Sequence, residues 1–426
     1  MGILTEAFGP VAAGGRSAGR RIWLERLMLT DFRSYAHAEI VCDGRPVVLS
    51  GPNGAGKTNL IEAISFLAPG RGLRRARLGE IDRRAGASVG SDRPWAVAAR
   101  LNAPEGPVEI GTGRASDSLP GGGTAAPGEA REAGEARENR ETSSMPARRI
   151  VKIDGVQVRA QEHLAARLAL VWLTPQMDRL FLEGPGGRRR FLDRLVLALD
   201  PSHGGRVAAL EHAARERSKI LADAWAQNRS PDSGWLEAIE EQIAGLAVAL
   251  GAARADLVAR LAEMSRRAGA FPKPALRLSG PIAEWLAAMP ALAVEERVRM
   301  ELARSRGVSA AHAAGQSGVL RDDLEVALAS TGHPAASAST GEQKALLIAI
   351  VLAHARLIDS IRGAAPILLL DEIAAHLDAG RRRALFEAIL ALGVQAWMTG
   401  TDAAIFDELG REAQRFSVRD ATIAPS

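Results

Sequence analysis

A glycine-rich motif that precedes a lysine is the clearest chemical feature of the chain. Residues 51–58 read GPNGAGKT. Glycines let the backbone curl so that several N–H groups converge on phosphate oxygens, and a following helix directs its positive end at the same anions. In such a loop Lys57 contacts the β- and γ-phosphates, and the Thr58 hydroxyl is a Mg²⁺ ligand. The predicted nucleotide-binding residues are Gly51, Pro52, Asn53, Gly54, Ala55, Gly56, Lys57, Thr58 and Asn59.

A second motif is an apolar run that ends in two carboxylates, ILLLDE at residues 367–372. Asp371 is placed to hold Mg²⁺, together with Thr58, as in the second signature of P-loop ATPases. Glu372 follows it and is the candidate to orient or deprotonate an attacking water. A buried strand that ends in acidic loop residues by chance is the alternative, and the P-loop in the same chain argues against it.

A third motif, STGEQ at residues 339–343, opens a helix about thirty residues before that strand. Ser339 with Glu342 three residues later is a capping box, so an ordinary capped helix is one interpretation. The other is an anion site, since backbone N–H groups and the helix dipole attract negative charge there.

The hydrophobic pattern indicates which elements position these motifs. Strands are expected at about 22–29, 46–50, 95–101, 150–158, 367–370 and 395–399. Asp154 and Gly155 indicate a hairpin turn within the fourth of these. Helices are expected at about 59–67, 206–225, 235–268, 344–360 and 381–392, and the whole stretch 188–330 has a helical pattern.

Composition excludes several classes of protein. The chain has 426 residues, enough for two or three domains at about 150 residues each, and a single cysteine, Cys42, which excludes a disulfide framework. We find neither an uninterrupted membrane-length apolar run nor a signal peptide, and expect a cytoplasmic protein. Of 54 basic residues only five are lysines, so arginine clusters carry little weight. Residues 1–20 and 115–147 are predicted to be disordered.

Together these motifs resemble the RecF family, within the ABC-type ATPases related to SMC proteins. Further motifs that carry the resemblance are LTDFRSY at 29–35, LTPQMD at 173–178, GPGGRRRFLD at 184–193 and TGT at 399–401. The resemblance implies an α/β fold, an ABC-type P-loop ATPase head of mixed sheet and flanking helices with an inserted helical arm. The head would comprise residues 21–190 and 331–426, and the arm residues 191–330.

The resemblance also implies roles for individual residues. Arg33 would lie near the nucleotide, unless it is only a surface arginine on a hairpin. Gln176 would contact the metal, with Asp178 as the alternative, and Thr399 or Thr401 would sense the γ-phosphate. His376 and Asp378 would form the D-loop. The residues that would contact the nucleotide of a second subunit are Ser339, Thr340, Gly341, Glu342 and Gln343.

The implied function is an ATP-dependent DNA clamp of recombinational repair. It would dimerise with ATP and Mg²⁺ on gapped duplexes or single/double-strand junctions, help RecR- and RecO-type proteins to load recombinase, and hydrolyse ATP slowly. A DNA surface of Arg71, Arg74, Arg75 and Arg77 is possible, against a merely solvated basic face. Alternatives are an SMC-like structural clamp, a transporter ATPase subunit and a protein that only binds nucleotide.

Overall fold

The fold comes from a computed structural model that describes residues 21–83, 94–115, 148–158, 162–266, 269–309, 320–374 and 377–426. The predicted disordered tail, nearly all of the predicted insertion and His376 lie outside these residues. The strands are β1 Trp23–Phe32, β2 Tyr35–Val41, β3 Val47–Ser50, β4 Ala96–Asn102, β5 Val108–Arg114, β6 Arg149–Ile153, β7 Val156–Val158, β8 Leu170–Leu173, β9 Pro274–Ser279, β10 Asp323–Leu328, β11 Ile367–Leu370, β12 Ala396–Gly400, β13 Gln414–Arg419 and β14 Thr422–Pro425.

The described residues contain ten α-helices. They are α1 Lys57–Ser65, α2 Glu162–Arg167, α3 Pro185–Leu197, α4 His203–Ala226, α5 Ser233–Ser265, α6 Pro281–Ala288, α7 Ala291–Arg304, α8 Arg306–Ser309, α9 Thr340–Arg362 and α10 Ala379–Leu392. Short 3-10 turns connect them, among them Pro175–Arg179 after β8.

Two six-stranded sheets form the head. One is antiparallel, with the strand order β2-β1-β4-β5-β6-β7. The other has the order β14-β13-β3-β12-β11-β8, and all its strands are parallel except β14. The fold is therefore of the α/β class, with a mixed sheet and flanking helices, as the sequence predicted.

The central strands of the parallel sheet are buried on both faces, which explains their continuous apolar runs. Alternate residues enter different cores: Leu49 packs with α1 and the antiparallel sheet, whereas Val48 packs with α9 and α10. Leu369 and Leu370 of β11 divide in the same way. The P-loop helix α1 and helix α9, which begins at the STGEQ motif and is hereafter the signature helix, therefore lie on opposite faces of one sheet.

The inserted segment is built on the helical hairpin α4–α5. Its outer part has its own apolar core, which includes Ile243, Val294 and Val298. Arg217 donates to buried Glu240 at 2.8 Å and also binds the Leu302 carbonyl, which joins α4, α5 and α7. In the described part of the chain, α5 alone is long and apolar enough to cross a membrane. However, 56% of its most apolar window is buried in the protein.

The prediction that residues 188–330 are helical throughout is wrong at two places. Strands β9 and β10 pair as an antiparallel two-stranded sheet, with Leu276 opposite Val326. Pro272 and Pro274 end the helical pattern because proline removes a backbone donor and disfavours helix in the preceding residue. The alternation of residues 323–328, DLEVAL, is a strand pattern that the surrounding Ala- and Leu-rich helices obscured.

Candidate nucleotide-binding site

The P-loop occupies the short connection between β3 and α1. Glycine is required at Gly56, where φ is 111° and a Cβ would lie 2.7 Å from the Tyr35 hydroxyl oxygen. It is also required at Gly51, because a Cβ there would lie 2.1 Å from the Val418 carbonyl oxygen. The loop therefore curls tightly between β13 and the β1–β2 hairpin, and its last residues lead directly into α1.

Lys57 points back over this loop. Its Nζ donates to the carbonyl oxygens of Gly51 at 2.7 Å and Pro52 at 2.8 Å, and the residue is only 4% exposed. Burial lowers the pKa of Lys57, while the nearby carboxylates of Glu372 and Asp371 act in the opposite direction. The ammonium is thus held above a backbone concavity and close to both acidic residues.

Asp371 lies at the centre of a hydroxyl cluster at the carboxyl end of β11. Its Oδ1 accepts hydrogen bonds from Thr58 at 3.0 Å and from Thr399 at 2.7 Å. Burial raises the pKa of the Asp371 carboxyl, and the two hydroxyl hydrogen bonds partly offset this. Thr399 also accepts a hydrogen bond from the Glu372 N–H at 2.8 Å. The structure therefore brings the P-loop, β11 and β12 together at one sheet edge.

The oxygen atoms at this edge suit a hard cation. Thr58 and Asp371 offer a hydroxyl and a carboxylate, and Mg²⁺ prefers such oxygen ligands and commonly completes its shell with phosphate and water. Among the residues that the structure describes, no group of three or more His, Cys, Asp or Glu could hold a metal unaided. A cation here would consequently depend on a bound nucleotide.

Glu372 has an unusual backbone conformation. Its φ is 53°, in the left-handed region that a residue with a Cβ seldom adopts, and its N–H is fixed by Thr399. Such strain is concentrated at functional sites, where the surrounding structure must impose it. The side chain is half-buried beside Asp371, in the place where sequence analysis expected the residue that activates water.

The structure places the two candidate γ-phosphate sensors, Thr399 and Thr401, in different environments. Thr399 is 1% exposed and bound to Asp371, whereas Thr401 is exposed, so the buried threonine is the better sensor candidate. Gln176 is exposed on the turn after β8, whose last residue pairs with Leu370 next to Asp371. The turn with Gln176 therefore lies at the same sheet edge as Asp371.

The turn that contains Gln176 is linked to the signature helix. Lys344 of α9, 4% exposed, has its Nζ 3.4 Å from Asp178 Oδ2. Lys344 is one of the five lysines of the chain. Asp178 thus connects the turn after β8 with α9.

The STGEQ motif forms the capping box that its spacing indicates. Ser339 Oγ accepts from the Glu342 N–H, and Glu342 Oε2 accepts from the Ser339 N–H at 2.9 Å. The Ser339 N–H and hydroxyl both donate to the Glu342 carboxylate, and these two bonds lower its pKa. Thr340 is exposed at the first position of α9. Gln343 is buried, donates to the Ala338 carbonyl, and leaves its own Oε1 without a partner.

The D-loop residue Asp378 caps α10 and lies close to this motif through Arg381. The Asp378 carboxylate accepts from the Arg381 N–H at 2.8 Å, and Arg381 donates to the Gly341 carbonyl at 3.0 Å. Over the described ranges, no hydrogen bond or ion pair joins residues 339–344 to residues 51–58. Residues 339–343 and the start of α10 are therefore linked through Arg381, and within the described chain neither is bonded to the P-loop.

Arg33 lies in the β1–β2 turn with φ at 54°. Its guanidinium binds Glu62 of α1 through two nitrogens, at 3.0 and 2.8 Å, and the Glu80 carbonyl through the third at 2.8 Å. The neighbouring Tyr35 hydroxyl donates to the Gly56 carbonyl at 3.1 Å. The turn is therefore fastened against the P-loop.

The basic residues divide into bound and unbound groups. Arg74 donates to Asn59 and Glu62, and Arg188 forms a two-nitrogen ion pair with Asp323 of β10. By contrast, the structure assigns no ion pair to Arg75 or Arg190 within the described chain.

Arg75 and Arg190 belong to a set of four exposed arginines that gives a positively charged surface. Arg71, Arg75, Arg77 and Arg190 are all exposed. Partial burial and the charges of Arg190 and Arg71 lower the pKa of Arg75, so these three cations lie close together. Arg75 itself has φ at 57°. On α3, Arg188 binds Asp323 of β10 and Arg189 binds the Asp322 carbonyl just before it, whereas Arg190 faces solvent.

Glu62 was not predicted to have a role. It is fully buried, on a helix whose neighbouring residues Leu60, Ile61, Ala63 and Ile64 are apolar. A charged residue within such a run was a usable signal, because a buried carboxylate requires partners. The sequence could not show which arginines those partners would be.

Comparison with solved structures gives the fold. The structure titled as the recombination mediator protein RecF-ATP in the RecFOR pathway aligns over 97% of this chain and 100% of its own, with a TM-score of 0.78 and 17% identity. A second structure, titled RecF-ATPrS in the same pathway, has a TM-score of 0.77. A family model described as an AAA domain matches residues 26–86, the region of the P-loop.

Curated relatives are more similar in sequence. The DNA replication and repair protein RecF of Rhizobium leguminosarum bv. trifolii is 46% identical over 406 residues, which cover 95% of this chain and 99% of the relative. The corresponding proteins of Mesorhizobium japonicum and Rhizobium meliloti are 46% and 43% identical over similar lengths. Since the identity extends over nearly the whole of both chains, the chain belongs to the RecF family of DNA replication and repair proteins.

Proposed function

We propose that the protein is an ATP-operated DNA clamp that assists loading of recombinase at gaps. The observation that carries the proposal is the separation of two half-sites. Lys57, Thr58, Asp371 and Glu372 converge at one sheet edge, while the signature helix lies on the opposite face. The first half-site would hold the nucleotide, and the second would supply the N-terminus of α9 to the nucleotide of another copy.

The first half-site is proposed to bind ATP with Mg²⁺. The nucleotide would be held by residues 51–59 and approached by Arg33, and Thr58 and Asp371 would hold the cation, with Gln176 nearby. Bound Mg²⁺ would supply charge neutralisation on the phosphates. Glu372 would orient water and accept its proton, and Thr399 would fix the backbone of Glu372. The RecF-ATP title of the structural relative supports the choice of nucleotide.

The second half-site is proposed to complete the first in trans. Residues 339–343 and the D-loop residues, Asp378 with His376, would face the nucleotide of a second copy. Two such contacts related by a two-fold axis form a closed interface. Among the described residues no bond joins the N-terminus of α9 to the P-loop, and this supports the assignment because the N–H groups there can bind another anion.

The remaining proposals concern DNA and partners. Residues 21–190 and 331–426 would act as the head and residues 191–330 as the arm, although β9, β10 and the end of α5 share the head core. Arg71, Arg75, Arg77 and Arg190 would contact duplex backbone without reading sequence. RecR- and RecO-type partners are proposed on the RecFOR title of the relative. Membership of the RecF family removes the transporter alternative.

Glu372→Gln tests the ATPase site. The amide keeps the shape but cannot accept a proton, so turnover should fall by about a hundredfold or more while ATP still binds. The variant should then hold gapped duplex DNA more tightly with ATP than without it, and more tightly than intact duplex. Filter binding and phosphate release are the measurements. Equal binding to gapped and intact duplex would favour a structural clamp. ATPase activity at the parental rate would show that Glu372 does not activate the water.

Replacing the unbound arginines tests the DNA surface. The double substitution Arg75→Ala with Arg190→Ala should weaken duplex binding about tenfold near 0.1 M salt and reduce the slope of log K against log salt by about 2. Nucleotide affinity should not change. The control is Arg277→Ala, an exposed arginine paired with Glu325 on β9–β10. An unchanged salt slope would place the DNA surface elsewhere.

A further inference from the structure

Two arginines share one buried carboxylate beside the P-loop. Glu62 has no solvent exposure and accepts two hydrogen bonds from Arg33 and one, at 3.3 Å, from Arg74. It lies one helical turn after Thr58 on α1. A single arginine would suffice to neutralise one carboxylate, so the second cation requires an explanation.

Arg74 also fastens the network to the P-loop helix. The same nitrogen that reaches Glu62 donates to Asn59 Oδ1 at 3.0 Å. The Asn59 amide then donates to the Ser34 hydroxyl at 2.9 Å, in the turn that carries Arg33. Arg74 is therefore held in place by two acceptors on α1, and one of them is independent of Glu62.

The burial of Glu62 limits what these arginines can do. A buried carboxylate that loses its last cation is strongly destabilised, because its charge is neither solvated nor paired. With both arginines present, one can leave and the other still compensates the charge. Arg33 binds Glu62 more closely, at 3.0 and 2.8 Å against 3.3 Å for Arg74, but it is the residue taken as the nucleotide contact. Arg74 has a second acceptor, Asn59, that holds it on α1 when Arg33 leaves.

We infer that Arg74 is a positioning residue: it is the counter-ion that stays on Glu62 and thereby allows Arg33 to transfer to the nucleotide phosphates. The inference rests on the proposed function in taking Arg33 as a nucleotide contact. It assigns Arg74 to the ATP site and removes it from the predicted DNA surface.

The test compares nucleotide affinity among variants of the full chain, with a fluorescent non-hydrolysable ATP analogue. In Arg74→Ala, Arg33 is the remaining counter-ion of Glu62 and must stay on it. Arg33 then cannot contact the phosphates, so nucleotide affinity should fall by about tenfold, as it should in Arg33→Ala. In a Glu62→Gln background, which removes the buried charge that both arginines compensate, adding Arg74→Ala to Arg33→Ala should weaken nucleotide binding no further, because Arg74 acts only through Arg33.

The decisive variant adds Glu62→Gln to Arg74→Ala. Without the negative charge Arg33 loses its ion pair and keeps the bond to the Glu80 carbonyl. Affinity should therefore return to within about threefold of the parent. A structural role for the network predicts the reverse, since each additional change would then weaken the protein further. Duplex affinity of Arg74→Ala should equal that of the parent.

A conservative variant and a control complete the design. Arg74→Lys should retain parental affinity because one nitrogen serves both contacts, and a lysine ammonium can do the same. Arg100→Ala, an exposed head arginine paired with Glu25, is the surface control, and melting temperature reports folding for every variant.

The outcomes separate this inference from the proposed function. If Lys57→Met leaves analogue affinity unchanged, the ATP site itself is wrong. If Arg33→Ala leaves it unchanged, or if Glu62→Gln fails to rescue Arg74→Ala while Lys57→Met still abolishes binding, the ATP site stands and the exchange is refuted.

Discussion

Lys57→Met should lower ATP affinity by roughly a hundredfold, because the substitution removes the only point charge that the loop directs at the phosphates. Its Nζ now donates to two loop carbonyls, and a phosphate would replace these acceptors. Methionine retains the length and apolar stem of the side chain. Isothermal titration with ATP and a non-hydrolysable analogue is the measurement.

The fold should survive this substitution, though not without cost. Lys57 is 4% exposed and loses two hydrogen bonds on substitution. A decrease in melting temperature of a few degrees, about 3 °C, is therefore expected. Lys152→Met, a change of the same kind on β6, provides the control. Parental ATP affinity in Lys57→Met would contradict the P-loop assignment.

The nucleotide half-site was predictable because its chemistry is local in sequence. GPNGAGKT specifies a loop, a helix start and a charge within eight residues, and ILLLDE specifies a buried strand with its carboxylates. The parallel sheet then brings Thr58 and Asp371 within 3.0 Å of each other. The hairpin at Asp154 and Gly155 was predictable for the same reason: both residues adopt positive φ, at 50° and 77°, as a two-residue turn requires.

The partners of those residues were not predictable because they are distant in sequence. Nothing in the order of residues indicates that Glu62 will accept both Arg33 and Arg74, or that Lys344 will reach Asp178 across 166 positions. Sequence analysis also left Thr399 and Thr401 equivalent. The register of β12 distinguishes their positions, since it places Thr399 in the sheet beside Asp371 and leaves Thr401 beyond the strand.

The sheet composition was predicted less completely than the site. Strands β13 and β14 extend the parallel sheet next to β3, and β9 and β10 interrupt the inserted segment. Short strands such as these contain few residues on which a period of two can be recognised, and abundant alanine weakens the contrast between faces. Pairing, rather than propensity, decides such segments.

Gly341→Arg should abolish ATP-dependent dimerisation and leave ATP binding intact. The residue lies in the first turn of α9, where backbone N–H groups are open to an anion. A Cβ there would lie 3.1 Å from a terminal nitrogen of Arg381, which is the flexible end of a side chain and can move. The fold should therefore tolerate the change, while a bulky side chain covers the N-terminus of the helix.

The consequence for function follows from the opposite positions of α1 and α9 on the sheet. Because the two half-sites of one chain cannot meet, blocking one surface should remove the shared nucleotide contact in both halves of the dimer. ATP-stimulated DNA binding should be lost with it, since a dimer offers two weak backbone-binding surfaces to one duplex and a monomer only one.

Light scattering with ATP and DNA measures the result. Gly245→Arg adds the same side chain at a helical glycine of α5 that has open space around it, and should dimerise like the parent. If Gly341→Arg still dimerises with ATP, the signature does not contact nucleotide in trans. A parent that remains monomeric with ATP and DNA at micromolar concentration would mean that the opposite faces of the sheet serve separate purposes, and the protein would then bind nucleotide without forming a clamp.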